Sequence, residues 1–337
     1  MAISDFPRAI LSHSPTPLEA MPNITRVLGG ATLMVKRDDC TGLAMGGNKV
    51  RQLEFYFGDA QAQGADTVII TGAIQSNYVR QAAAAAAKLG MACEIQLENR
   101  EATKTPEYEV SGNVLLDRLL GAKIHYYPEG EDEAGADQAL EDIAERVRGE
   151  GGKPYVIHLA QGYPPLGSLG YVVAAEEILD QASDQGLTID AIVLPSGSAA
   201  THAGVLAGLR HRGSDIKVVG VCVRRTQAQQ FDRVFNQATT VAEMIGSSNP
   251  ITNDDIHVTD EYLGPGYGQS TPEMLEAMTL AARQEGLLLD PVYTGKALAG
   301  MIGMVRSGAI SADQTVLFLH TGGTPALFGY RSMLDGV

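Results

Sequence analysis

One unit recurs along this chain: a short β-branched run, a Gly- or Ser-rich turn, then an Ala/Leu-rich helical stretch. Thr67-Val68-Ile69-Ile70 leads through Thr71-Gly72-Ala73 into a predicted helix over Asn77 to Lys88. Ala191-Ile192-Val193-Leu194 leads through Pro195-Ser196-Gly197-Ser198 into a helix beginning near Thr201. Lys217 to Val221 is a further strand, and Thr315 to Leu319 is the last, running into His320-Thr321-Gly322-Gly323. Strands alternating with helices predict an α/β fold with mostly parallel sheets covered on both faces. Ligands in such folds sit outside the carboxyl ends of the strands, where these turns lie. At 337 residues, with 45% hydrophobic and 19% charged, the chain has apolar material for two domains. The run Ala82 to Ala87 reads as a close-packed helix, with Ser76 as its cap before and Gly90 after. The acidic stretch Pro128 to Glu141 reads as a solvated loop and helix start.

A formal charge of -15 argues against nucleic acid or an anionic membrane surface as partner, because both need a basic footprint. Cys40, Cys93 and Cys222 are widely spaced, which fits a reducing compartment better than a disulfide framework. The opening MAISDFPRAI has no basic segment followed by an apolar run, and no stretch approaches the ~20 apolar residues of a membrane span. A cytoplasmic, soluble protein is expected.

Five segments could carry chemistry. In Gly46-Gly47-Asn48-Lys49 the lysine opens an amphipathic helix with Val50, Leu53 and Phe57 on one face. A lysine there can form a Schiff base if its surroundings keep the amine partly neutral; in isolation it reads as a surface lysine. Gly72 to Tyr78 sits at a strand-to-helix junction, where free N–H groups hold an anion such as a carboxylate. Ser196 to Thr201 exposes successive N–H groups and three hydroxyls, suited to a phosphate monoester. It lacks the lysine of a P-loop and does not match GxGxxG. Asp290 to Lys296 and His320 to Thr324 are unremarkable alone. The histidines show no metal-ligand spacing, so no metal is expected, and there is no GxSxG elbow.

Taken in order, AMGGNK, GAIQSN, SGSAATHAG, LLLDPVYTGKA and HTGGTPALF resemble a specific family. It contains 1-aminocyclopropane-1-carboxylate (ACC) deaminase, D-cysteine desulfhydrase and L-cysteate sulfo-lyase, pyridoxal-phosphate (PLP) enzymes of fold type II, the tryptophan-synthase-β fold. The resemblance runs from Phe6-Pro7-Arg8 and Pro15 to Glu19, through Lys36 to Asp39, to Pro325-Ala326-Leu327-Phe328. It implies two open, twisted, mostly parallel sheet domains with helices on both faces and PLP in the cleft between them. The smaller would be 51–161 and the larger 1–50 plus 162–337. A homodimer is also implied.

Residue by residue, the resemblance implies Lys49 as the Schiff-base lysine and Asn77 as the hydrogen-bond partner of the PLP 3′-oxygen. Ser196, Gly197, Ser198, Ala199, Ala200 and Thr201 would cradle the phosphate, and Tyr293 would lie on or beside the pyridine ring. Ser76, with Gln75, Asn77 and Tyr78, would meet the substrate, with Gly162 and Tyr163 nearby. Lys49, or Ser76 acting with it, would remove the Cα proton; Tyr267 or Tyr293 would supply a proton or hold the leaving group.

Two features sort the subfamilies. ACC deaminase has an acidic residue after the stacking tyrosine; here that position is Thr294, which leaves the Thr321 hydroxyl as the expected partner of the ring nitrogen. A neutral hydroxyl does not hold the ring protonated as a carboxylate does, which suits prompt expulsion of a β-substituent. Where desulfhydrases resemble Gly-Gly-Ser, this chain reads Ala160-Gln161-Gly162-Tyr163-Pro164-Pro165-Leu166-Gly167, and Tyr78 stands where a histidine is common. The expected function is C–S β-elimination from a small sulfur amino acid, L-cysteate or D-cysteine. ACC ring opening, a PLP-binding protein without turnover and an unrelated nucleotide-binding α/β protein are the alternatives.

Overall fold

A computed structural model describes residues 2–101, 105–159 and 162–335. Ala160 and Gln161, which begin the divergent substrate-pocket segment and end the expected small domain, lie outside the described residues. The strands are β1 (Leu18–Ala20), β2 (Thr32–Arg37), β3 (Thr67–Ala73), β4 (Ala92–Glu98), β5 (Lys123–Tyr127), β6 (Pro154–Ile157), β7 (Ala191–Ser196), β8 (Lys217–Cys222), β9 (His257–Thr259) and β10 (Thr315–His320). The α-helices are α1 (Pro22–Leu28), α2 (Lys49–Ala62), α3 (Asn77–Leu89), α4 (Pro106–Val110), α5 (Gly112–Leu119), α6 (Glu133–Gly149), α7 (Leu169–Asp184), α8 (Ala200–His211), α9 (Gln227–Met244), α10 (Pro272–Leu280) and α11 (Thr294–Arg306).

The strands form a six-stranded sheet in the order β1-β2-β10-β7-β8-β9 and a four-stranded sheet in the order β5-β4-β3-β6. Every pairing is parallel except β1 with β2. This is the α/β arrangement the sequence predicts. Successive strand residues point to opposite faces, so the large sheet feeds two cores. Ile192, Leu194, Val218 and Leu317 pack with Val205 and Leu206 of α8 and Val234 of α9. Val193, Val221 and Phe318 pack on the other face with Met274 of α10 and Leu298 and Met301 of α11. In the small sheet Val68 and Ile70 meet Ala82 and Ala86 of α3, while Ile69 faces Leu140 and Ala144 of α6. Burial on both faces explains why these strands read as continuous apolar runs.

Helix α2 belongs to both halves. Leu53 and Phe57 join the core of the small sheet, and Phe55 joins the core of the large one. Lys49, at its first turn, is thereby carried to the seam between the sheets. The turns after β3, β7 and β10 open onto that seam, which sets the place of the site.

Candidate active site

One cleft brings together Lys49, Ser76, Asn77, Tyr78, Gly197, Ser198, Ala199, Thr201, Tyr267, Tyr293 and Thr321. Two glycines make its floor possible. Gly47 and Gly322 both have positive φ, and a Cβ on Gly322 would stand 2.7 Å from the Gly47 Cα. With only hydrogens there, the turn before α2 lies against the turn after β10, and Asn48 N–H donates to Thr321 O (3.0 Å). Lys49 Nζ lies 3.3 Å from Gln52 Oε1 and 5.0 Å from the centre of the Tyr78 ring. Burial with no carboxylate to offset it lowers its pKa to about 8. Roughly a tenth of the amine is therefore neutral at pH 7 and half near pH 8, far more than an ordinary lysine offers as a nucleophile.

At the start of α3, Ser76 is the N-cap. Its Oγ accepts from Tyr78 N–H (3.1 Å) and Val79 N–H (3.4 Å), which leaves its own proton free to be donated. Opposite, at the start of α8, Ala199 has a φ of 74°, a left-handed conformation that turns neighbouring N–H groups toward one point. Thr201 Oγ1 accepts from Asn48 Nδ2 and Gln52 Nε2, both at 2.9 Å, so its hydroxyl proton also remains to be given outward. The Lys49 helix and the anion loop are thus joined through one hydroxyl.

The third wall is aromatic and basic. Tyr267 and Tyr293 share a hydrogen bond of 2.6 Å with their rings edge-to-face. Burial, and their proximity in the case of Tyr267, raises both hydroxyls above the ordinary phenol, so both stay protonated at neutral pH. Arg100, Arg224, Arg225 and Arg233 also line the cleft, with Glu133. Glu133 pairs with Arg224 (3.2 Å), Arg225 and Arg233 (3.5 Å). Burial raises its carboxyl and the arginines more than reverse this, so it remains ionised. Arg225 is pulled down to about 10 by burial and the neighbouring Arg233. Three guanidinium groups thus converge on one cleft-lining carboxylate, a surplus of positive charge that suits an anion.

Comparison with known proteins fixes the family. The model for "Pyridoxal-phosphate dependent enzyme" matches residues 10–322. The chain belongs to the PLP-dependent enzyme family. D-cysteine desulfhydrases of Salmonella choleraesuis and Salmonella typhi are each 44% identical over 329 residues, covering 98% of both chains. A solved ACC deaminase homologue is 37% identical with a TM-score of 0.88, covering 99% of this chain and 97% of that one. O-ureido-L-serine synthase, at 18% identity and a TM-score of 0.69, shares the fold.

The donor set fits PLP. The Ala199 turn offers N–H groups to a phosphate, and Lys49 is poised as an amine in the same cleft. Several of the expected positions lie behind or beside the cleft wall. Gln75 is turned out of the cleft: its Nε2 donates to Tyr108 O (2.5 Å) and Ser111 O (3.0 Å), and its Oε1 accepts from Asn113 N–H (2.9 Å). At a strand-to-helix turn adjacent side chains diverge, so adjacency to Ser76 does not carry Gln75 along. The Ser196 hydroxyl is buried behind the loop, receiving Gln230 Nε2 (2.8 Å) and lying 3.2 Å from His202 Nδ1. Thr294 Oγ1 donates to Asp290 Oδ1 (2.6 Å) inside the start of α11. Ala200, Gly162 and Tyr163 line an outer cavity that shares Tyr78, Leu159, Ser198 and Arg233 with the cleft. Tyr163 there stacks on His158 with ring centres 3.6 Å apart. The arginines and Glu133 escaped sequence reasoning. Arg224 and Arg225 pair with Glu133 across separations of 91 and 92 residues, which no local pattern encodes.

Proposed function

We propose that the protein is a β-eliminating C–S lyase of a small sulfur amino acid, using Lys49 as base. The observation that carries this reading is the partly buried Lys49 amine, lowered to about 8 and lining one cleft with the starts of α3 and α8, which suit anions. PLP, when bound, supplies the electron sink; the chain supplies aim and proton movement. The start of α3 and the Ser76 hydroxyl receive the substrate carboxylate, with the helix dipole favouring the negative end. That fixes the Cα–H bond toward Lys49, whose neutral amine takes the proton. Of the hydrogen-bonded tyrosines, one hydroxyl proton is engaged by the partner and one remains for the departing sulfur. Pyruvate and ammonia follow by hydrolysis.

The D-cysteine desulfhydrases support D-cysteine as substrate, with sulfide leaving. Arg100 and Arg224, on the same wall as the tyrosines, support a substrate with a charged β-substituent, L-cysteate, with sulfite leaving. Glu133 is the sole carboxylate lining the cleft among the described residues and is held by arginines. That supports a neutral partner for the pyridine nitrogen, a role for which Thr321 of the cleft wall is our choice, and it favours elimination over ACC ring opening. In addition, Leu115 and Leu119 of α5, 55% and 79% exposed, support a homodimer, and three unpaired cysteines support a cytoplasmic site. The deciding assay offers holoenzyme D-cysteine, L-cysteine, L-cysteate and ACC, with sulfide, sulfite and keto acid measured separately. Pyruvate with sulfide or sulfite is expected. 2-Oxobutyrate from ACC alone would replace this reading with ring opening, and no keto acid from any substrate would leave a binding protein.

A further inference from the structure

The side-chain amide of Asn77 has two ends of opposite chemistry, and the end that faces the cleft decides what it does there. Asn113, the second residue of α5, donates from Nδ2 to the backbone carbonyl of Gln75 (2.9 Å). A carbonyl only accepts, so the Asn113 atom beside it is nitrogen. That nitrogen's second hydrogen reaches Asn77 Oδ1 (3.0 Å). From the other side Arg80 Nη2, which has no acceptor, lies 3.4 Å from the same atom. An atom approached by two donors is the oxygen. Asn77 itself lines the cleft, and its Nδ2 makes no hydrogen bond among the described residues.

Arg80 has a second attachment. It donates from Nη1 to Ala44 O and from Nη2 to Gly46 O (3.3 Å), in the turn ahead of Lys49. Gln81, its neighbour, donates to Gly46 O as well. One fully buried guanidinium therefore holds the turn that delivers Lys49 and the amide that lines the cleft beside it.

We propose that Asn113 and Arg80 are positioning residues that lock Asn77 as a hydrogen-bond donor toward the phenolic oxygen of bound PLP. The inference rests on the PLP reading of the cleft but not on the choice of substrate. A donor at that oxygen stabilises its anion and keeps the proton on the lysine-bound nitrogen, the form that absorbs visible light. An inverted amide would set oxygen against oxygen and weaken cofactor binding.

The test compares Asn113→Leu, Asn113→Asp and Asn77→Ala by visible spectrum and by the PLP dissociation constant. Asn113→Leu, of similar size, removes the donor, and Asn113→Asp offers only acceptors and turns the amide round. Each should move absorbance from the visible to the near-ultraviolet band and weaken PLP binding about tenfold, the loss of one hydrogen bond to a charged group. The Asn77→Ala/Asn113→Leu double variant should be no worse than Asn77→Ala alone, because both act through one amide. An unchanged spectrum and affinity in Asn113→Leu, or its full effect persisting in the Asn77→Ala background, would overturn the proposal. If Asn113→Leu fails to fold, Arg80→Lys carries the same expectation and the same refuting result. Because the readout is colour and affinity, a wild-type protein that binds PLP but eliminates nothing would sink the lyase reading alone.

Discussion

Lys49 shows how little a residue's own motif decides. Its burial opposes the charged form, and no carboxylate compensates, so its pKa falls from 10.5 to about 8. The folded state then binds that proton less readily than the unfolded chain. The cost to stability is fully present below about 8 and disappears as pH rises past 10.5. Two results follow for the cofactor-free protein. PLP uptake, which needs the neutral amine, should rise with pH around a midpoint near 8, read by the growth of visible absorbance after mixing; a midpoint near 10.5 would contradict the burial argument. Lys49→Met should lose colour and turnover yet be more stable at neutral pH, by on the order of 1 kcal/mol in urea titrations.

At the scale of elements, what matters is how α2 is held so that its first residue stays in the cleft. Arg51 is fully buried and grips Asp38 with two contacts, Nε to Oδ2 at 3.0 Å and Nη2 to Oδ1 at 2.9 Å. Glu177 of α7 accepts from Arg51 (3.0 Å) and from Lys36 Nζ (2.5 Å) on β2. Burial raises Asp38 and Glu177, but Arg51 and Lys36 outweigh it and hold both below the usual carboxylate range. The stability they contribute is present above about pH 4 and lost as pH falls through their folded values. Arg51→Met strands Asp38 and should cost about 3–5 kcal/mol in denaturant titrations at neutral pH, a deficit that shrinks in acid as the stranded Asp38 takes up a proton. A loss below about 1 kcal/mol would show that the network is not what seats α2. This is also where sequence legibility divides. The turns after β3, β7 and β10 announce themselves through glycine and serine beside β-branched runs, and Ser76 as cap is readable from local chemistry. Lys36 to Asp38 reads only as a motif, because its meaning lies in Glu177, 141 residues from Lys36. The Gln75 and Ser196 side chains face away from the cleft for a related reason: composition shows that a turn is polar, while the backbone decides which polar group faces in.

Across the whole molecule, the two sheets are tied over the cleft by charge. Glu133 begins α6, which packs on the small sheet, while Arg224 and Arg225 follow β8 of the large sheet and Arg233 lies on α9. Arg225 Nη1 also donates to Gly197 O (3.0 Å), and Arg233 donates to Ser198 O (3.2 Å) and Leu159 O (2.8 Å). The same guanidinium groups therefore brace the anion loop and balance Glu133. The acidic stretch around Glu133 reads in sequence as a solvated face, and most of it is; Glu133 is half-buried only because the other sheet presents three arginines to it. Replacing it with neutral glutamine leaves those arginines close together with their main counter-charge gone. A bound phosphate brings negative charge to the same neighbourhood, so PLP should offset part of the loss. Glu133→Gln is accordingly expected to lower the melting temperature of the PLP-free protein more than that of the holoenzyme. The difference should shrink in high salt, where mobile anions screen the arginines. Equal losses with and without PLP would mean that Glu133 is a local brace of α6, and that the charge of the cleft and the joining of the two sheets are separate matters.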